Sequence, residues 1–210
     1  MLRFEHINND SITPMTSKND IVIRSGYTFR ETIRYDPEGS HHLIQIKNIV
    51  KDGLDKKLDI SNLDKIYSPT ENANLYVKEG DLLILKKGDS HNAYFVGDVP
   101  EKTLVGQNFL IISSLNKEAL PPEFLLFYIN LPSTQVFLKS QASGGKQANL
   151  GKAALEKLSI PVLSKEEQIE LINLAKEIEK EKYLLEQLIT NRERQLQKLI
   201  ELKAEESNDV

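Results

Sequence analysis

The chain has 210 residues, of which 40% are hydrophobic and 28% are charged, and its formal net charge is -4. This length provides one hydrophobic core and an appendage, and the absence of cysteine excludes disulfides, thiolate catalysis and cysteine-bound metal. With no apolar run near about 18 residues and no signal pattern at the N-terminus, we expect a cytoplasmic protein. The four histidines lack metal-site spacing, so we expect no bound metal.

Residues 1–163 predict a mixed α/β domain with short strands. Five segments rich in branched or aromatic residues are bounded by Gly, Asn, Asp or Ser, which is typical of strands in a buried, largely non-alternating sheet. These segments are 21–24, 42–46, 81–85, 93–96 and 109–112. Two helices follow, one from a Pro-Pro pair to about Asn130 and one from Ser133 to about Ser140, because proline suits the first turn of a helix.

A long helix is predicted over residues 164–204. Ser164 and Glu167 have the spacing of a capping box, and neither glycine nor proline occurs from there to about Lys203. Roughly 40 helical residues form a rod of about 60 Å, which is too long to be buried by one small domain. Residues 205–209 are polar, and residues 205–210 are predicted to form a disordered tail.

The apolar residues of this helix recur in alternating steps of three and four, which is the pattern of a coiled coil. Three polar residues, Glu181, Arg192 and Gln195, occupy positions of the same repeat. The stripe is wider than a two-stranded coiled coil requires, which favours contact with a second copy and with a further protein. The alternative is a surface helix packed on its own domain. The predicted interface residues are Leu171, Leu174, Ile178, Leu185, Leu188, Ile189, Leu196, Leu199 and Leu202.

Three polar segments favour contact with nucleic acid. The loop 140–151 is dense in amides and hydroxyls around a Gly-Gly pair, and Gln, Asn and Lys are residues that bond base edges and phosphates. The segment 24–34 interleaves three arginines with two aromatic residues, and 85–92 ends a predicted strand with two lysines. An ordinary solvent-exposed loop can have the same composition.

Enzymatic interpretations have less support. Arg34 and His41 have a spacing found in some helical ribonucleases, but Pro37 and Gly39 between them prevent a helix. The sequence has no Gly-x-Gly-x-x-Gly loop and no methyltransferase signature. We therefore expect no catalytic residues in this chain, and any chemistry would belong to a partner.

Taken in order, several segments resemble the specificity subunit of type I restriction-modification systems. The resemblance covers about residues 20–203, and its most distinctive part is Ile160-Pro161 followed by Glu167-Gln168 at the start of the long helix. The other segments that carry it are 25–29, 42–49, 77–83, 107–112, 121–128 and 143–150.

The resemblance implies a non-catalytic DNA-recognition protein. The usual chain of this family holds two target recognition domains and two long helices that pack antiparallel, whereas this sequence holds one of each. It therefore resembles half a subunit, with a recognition domain at 1–163 and a spacer helix at 164–204. Two copies paired through their helices as a homodimer would read a bipartite inverted-repeat target in double-stranded DNA.

The resemblance also implies partners. The helices would hold modification subunits that methylate adenine with S-adenosylmethionine, and the restriction subunit would join that assembly. The recognition domain would contact DNA through Lys86, Lys87, Lys146, Gln147, Asn149, Arg24, Tyr27 and Arg30. Two alternatives are a stand-alone DNA-binding regulator or defence adaptor without methyltransferase partners, and a metal-free nuclease that uses Arg34 and His41.

Overall fold

A computed structural model describes residues 12–14, 21–50, 58–67, 70–143 and 148–208, with the backbone alone for 12–14 and 205–208. The strands are β1 (Ile12–Pro14), β2 (Ile21–Ser25), β3 (His41–Ile44), β4 (Asp64–Ile66), β5 (Leu82–Leu85), β6 (Ala93–Phe95), β7 (Thr103–Val105), β8 (Phe109–Ser114) and β9 (Ser159–Pro161). The helices are α1 (Pro122–Asn130), α2 (Pro132–Gln141), α3 (Lys152–Leu155) and α4 (Lys165–Asn208). The predicted α+β fold with a long C-terminal helix is confirmed.

A four-stranded antiparallel sheet in the order β2-β8-β5-β6 forms the centre of the domain. Its middle strands are apolar without interruption over Leu82–Leu85 and Phe109–Ile112, because both faces of the sheet are buried there. Leu82 and Ile84 of β5 join a core with α1, α2 and α3, whereas Leu83 joins a second core on the opposite face. Continuous burial explains why these strands could be predicted from unbroken apolar runs.

A second, three-stranded sheet has the order β4-β3-β7, in which β3 pairs antiparallel with β4 and parallel with β7. The strand predicted at 42–46 ends at Ile44, because a short 3-10 turn, Ile46–Asn48, follows it. The side-chain oxygen of Asn48 accepts a hydrogen bond of 2.9 Å from the Gln45 amide and fixes this turn.

Helices α1 and α2 are attached to the edge strand β6 by two side-chain amides. Asn130 bonds both the N–H and the C=O of Ala93, at 2.9 and 3.0 Å. Gln135 bonds the N–H and the C=O of His91 at the same distances. These amides take the place of a neighbouring strand, so the edge is covered rather than left open to another chain.

The start of α4 is anchored to the domain. The predicted capping box is present, because the Ser164 amide donates to Glu167 at 2.8 Å and the Glu167 amide donates to the Ser164 hydroxyl at 3.3 Å. Gln168 is buried and donates to the carbonyls of Ala119 and Leu163. Ile172 packs against the first core beside Leu171.

Beyond its first four turns α4 leaves the domain, and every residue from 180 to 204 is exposed. The alternative of a helix packed along its own domain is therefore wrong for this part. The helix continues to Asn208, past the predicted boundary at 204, because no Gly or Pro interrupts it. Of the predicted tail, 209–210 lie outside the described residues. No helix in the described part of the chain is both long and apolar enough to span a bilayer.

Candidate nucleic-acid interface

Two of the predicted polar segments leave the central sheet side by side. Strands β2 and β5 both run antiparallel to β8, which lies between them. Ser25 is paired with Leu110 and Leu85 with Phe109, so the last residues of β2 and β5 meet the start of β8. The segments that begin at residues 26 and 86 therefore emerge at the same end of the sheet.

The turn between β7 and β8 holds both segments in place. The amides of Gly26 and Tyr27 donate to Phe109 and Val105 at 2.9 and 2.6 Å, and the Lys86 amide donates to Asn108 at 2.9 Å. A β-carbon on Gly26 would lie 2.1 Å from the carbonyl oxygen of Gly106. Only glycine allows this approach of two backbones.

The loop after α2 docks on the segment that follows β5. Asn149 is paired with both Ser143 and Lys87, and the amide of Leu150 donates to the Lys86 carbonyl at 2.8 Å. Three residues predicted to contact DNA, Lys86, Lys87 and Asn149, therefore lie together although the chain separates them by about 60 residues. We call these three residues the basic edge. The two predicted residues Lys146 and Gln147 lie outside the described residues.

The turn that carries the lysines is fixed at both ends. Gly88 has a φ of 137°, a conformation that side chains of other residues rarely permit, and it reverses the chain after Lys87. His91 is buried, and its Nδ1 lies 2.9 Å from the Leu85 carbonyl oxygen. Partial burial lowers the pKa of Lys86, because its ammonium group loses solvation. A partly desolvated cation interacts more strongly with a nearby phosphate than a fully hydrated one does.

Arg24 has partners within the domain. Its guanidinium contacts Asp81 and the Ser113 hydroxyl, both at 3.1 Å, and the carbonyl oxygen of Asn74 at 2.5 Å. Asp81 in turn accepts from the Ser113 hydroxyl at 2.6 Å and from the Lys78 amide at 3.1 Å. The side chain therefore joins β2 and β8 to the segment before β5, and its assignment to DNA contact stays a prediction.

Tyr27 and Arg30 lie in an open cleft of about 420 Å³ formed by the segment that follows β2. The Tyr27 and Phe29 rings meet edge to face at 4.7 Å and are partly buried against the third core, which includes Leu43, Ile66 and Leu104. The rest of the lining is formed by Glu31, Thr32, Ile33, Arg34 and Tyr67. The exposed Tyr67 ring beside these arginines suits base stacking and phosphate contact.

Sequence reasoning left Arg34 and Tyr67 out of the predicted DNA-binding residues. Arg34 was visible as the third arginine of the interleaved segment. No sequence pattern indicated Tyr67. It lies in the cleft because Ile66, the residue before Tyr67, pairs with Tyr35.

The nuclease alternative fails on the geometry of His41. This residue is fully buried, with its ring nitrogens 2.8 Å from the Ser40 hydroxyl and 2.9 Å from the Tyr76 hydroxyl. Arg34 lies in the exposed cleft, so the two side chains do not share a site open to substrate.

A second candidate surface lies on α4. Of the predicted interface residues, Leu171 is partly buried against its own domain. The other predicted residues have exposed fractions from 39% for Ile178 to 60% for Leu196. A large exposed apolar stripe of this kind marks an interaction site in a soluble protein.

A domain with a basic edge at one end of its sheet, carried on a helix with a bare apolar stripe, has the features of a nucleic-acid recognition protein that works in an assembly. Residues 19–192 match the family model described as "Type I restriction modification DNA specificity domain". The chain therefore belongs to this family. Membership confirms the predicted role in DNA recognition and, for residues 19–192, the prediction of a non-catalytic specificity domain. Comparison with curated proteins finds no match.

Solved structures share the fold. One from a study of "complex assembly and conformational transition of the type I R-M system" has 16% identity and a TM-score of 0.64, over 90% of this chain and 43% of that one. The HsdS subunit from Thermoanaerobacter tengcongensis has 14% identity and a TM-score of 0.58, over 85% and 40%. The type IIG restriction endonuclease BpuSI has 11% identity and a TM-score of 0.58, over 80% and 26%. The chain thus spans less than half the length of each.

Proposed function

We propose that this chain is a half-length specificity subunit that pairs through α4 and reads a bipartite inverted-repeat target in double-stranded DNA. The observation that carries the proposal is the exposed apolar stripe of α4 beyond residue 180. An isolated helix with such a stripe exposes leucine and isoleucine to water, and pairing with a second copy removes that surface from solvent.

The symmetry of the target follows from the symmetry of the pair. In a twofold dimer each recognition domain presents the same surface in the opposite orientation. The basic edge and the cleft of each copy would then read the same half-site on opposite strands, with the helices setting the distance between half-sites. In the two type I structures above, the matched part is 43% and 40% of the chain, so two such parts would account for most of each.

Further partners would use the rest of the stripe. Its width leaves apolar side chains beside the paired face, such as Ile189 and Leu196. We place adenine methyltransferase subunits there, with S-adenosylmethionine bound by those subunits, and a restriction subunit joining them. In the other candidate function, a stand-alone regulator or defence adaptor, the same dimer would bind its target at full affinity without a methyltransferase subunit.

The dimer is tested by light scattering on the purified chain. We expect a mass of twice 23.9 kDa for the wild type. The double variant Leu185→Gln with Leu188→Gln should have the mass of a single chain, because glutamine keeps the helix and removes the apolar contact. The matched control is Ile200→Gln, since Ile200 is 61% exposed but lies outside the repeat of three and four. A wild-type monomer would overturn the proposal.

A further inference from the structure

The repeat along α4 is the same in both directions. Measured from the middle of the repeat, between Glu186 and Gln187, every position from Leu171 to Leu202 has a counterpart at equal distance on the other side. The counterparts are Leu171 and Leu202, Leu174 and Leu199, Ile178 and Gln195, Glu181 and Arg192, and Leu185 and Leu188. Glu181, an acidic residue that interrupts the apolar stripe, thus has the basic residue Arg192 as its counterpart.

We propose that two copies pair antiparallel about this midpoint, with Glu181 of each copy against Arg192 of the partner subunit. This inference rests on the proposed homodimer and assigns its orientation, its register and the residues that select it. Polar residues at coiled-coil core positions commonly fix register and partner. The two ion pairs would flank a central layer in which Leu185 faces Leu188 of the partner subunit.

Parallel pairing and a shifted antiparallel register both put these charges in unfavourable surroundings. In a parallel pair, Glu181 would face Glu181 of the partner subunit, and Arg192 would likewise face its own counterpart. Like charges in contact across an interface are strongly unfavourable. An antiparallel pair shifted by one heptad would set Glu181 against a leucine, at position 185 or 199, and would bury an unpaired charge.

The geometry of Arg192 and the charge of the helix favour the same arrangement. Arg192 donates from one terminal nitrogen to the Gln195 side chain at 3.0 Å, which holds the guanidinium over the repeat and leaves other N–H groups for a carboxylate. Residues 165–184 contain more glutamate than lysine, and 185–204 contain more basic than acidic residues. Antiparallel pairing sets the acidic half against the basic half.

Charge reversal tests the ion pair. We expect Glu181→Arg and Arg192→Glu each to raise the dimer dissociation constant at least about tenfold in sedimentation equilibrium, since each creates two like-charge contacts. The double variant should return to within a few-fold of the wild type. Glu186→Arg, outside the repeat, is the matched control and should change little. A parallel dimer would keep a like-charge contact at the altered position in each single variant, so a dissociation constant unchanged by both reversals would overturn the inference.

Cysteine cross-linking tests the register directly, because the chain contains no cysteine of its own. Ile178→Cys and Gln195→Cys are mixed, oxidised and analysed by mass spectrometry. We expect disulfides between positions 178 and 195, since two cysteines at 178 would lie about 25 Å apart in the proposed pair. Disulfides joining 178 to 178 would overturn the inference and leave the homodimer standing. A wild-type monomer would overturn the proposed function itself.

Discussion

At the scale of single residues, Arg24 shows how a conspicuous cation can serve the fold. Its guanidinium is tied to Asp81, whose side chain is 9% exposed. We expect Arg24→Ala to lower the free energy of unfolding by about 2 kcal/mol, because it leaves a buried carboxylate without its main partner. Thermal unfolding measures this. The control is Arg30→Ala, which changes an exposed cleft residue and should leave stability unchanged while weakening DNA binding. Lost DNA affinity with unchanged stability in Arg24→Ala would contradict the structural role.

Two glycines, Gly26 after β2 and Gly106 in the β7–β8 turn, give a second prediction at this scale. A methyl group on Gly26 would collide with the Gly106 carbonyl at 2.1 Å, whereas a methyl group on Gly106 would meet its nearest atom at an ordinary 3.5 Å. We therefore expect Gly26→Ala to destabilise the domain by about 2–3 kcal/mol and Gly106→Ala to be tolerated. Denaturant unfolding compares the two variants. Equal stabilities would show that the two segments do not approach as closely as described.

At the scale of elements, the edge strand β6 depends on the side chains of α1 and α2. Gln135 bonds both backbone groups of His91 and also donates to the Ile129 carbonyl at 2.9 Å. We expect Gln135→Ala to cost about 1–3 kcal/mol, because buried backbone groups lose their partners. Val136→Ala, at a position 68% exposed on the same helix, is the control for unfolding measurements. A Gln135→Ala variant as stable as this control would refute the role of the amide.

The elements differ in how far the sequence determines them. The central strands were predictable because both of their faces are buried, and α4 because its cap and its repeat are local signals. Strand β4 escaped prediction because it spans only three residues and only Ile66 of them is buried. The basic edge could be guessed by composition, but its assembly depends on pairing of Lys87 with Asn149. No local pattern encodes a contact over that separation. Likewise, nothing near Arg24 in sequence shows that Asp81 holds it.

At the scale of the whole molecule, the orientation of the recognition domains connects α4 to the DNA target. If two copies pair about a twofold axis, binding of one domain places the second at a fixed distance along the duplex, so the second contact is effectively intramolecular. Affinity for a properly spaced pair of half-sites should then exceed affinity for one half-site by a factor of about 10² or more. A variant that cannot dimerise would lose this gain in affinity but keep its preference for the sequence of the half-site.

Selection from a random DNA library tests this connection. For the wild type, alone or with a methyltransferase subunit that strengthens its hold, we expect enrichment of one short sequence repeated in inverted orientation at constant spacing. The variant Leu185→Gln with Leu188→Gln should still enrich the short sequence, because the basic edge and the cleft lie in the unaltered domain, but the second copy and its spacing should disappear. An asymmetric, unrepeated target for a dimeric wild type would contradict twofold pairing. A variant that kept the constant spacing would show that something other than α4 holds the two domains apart.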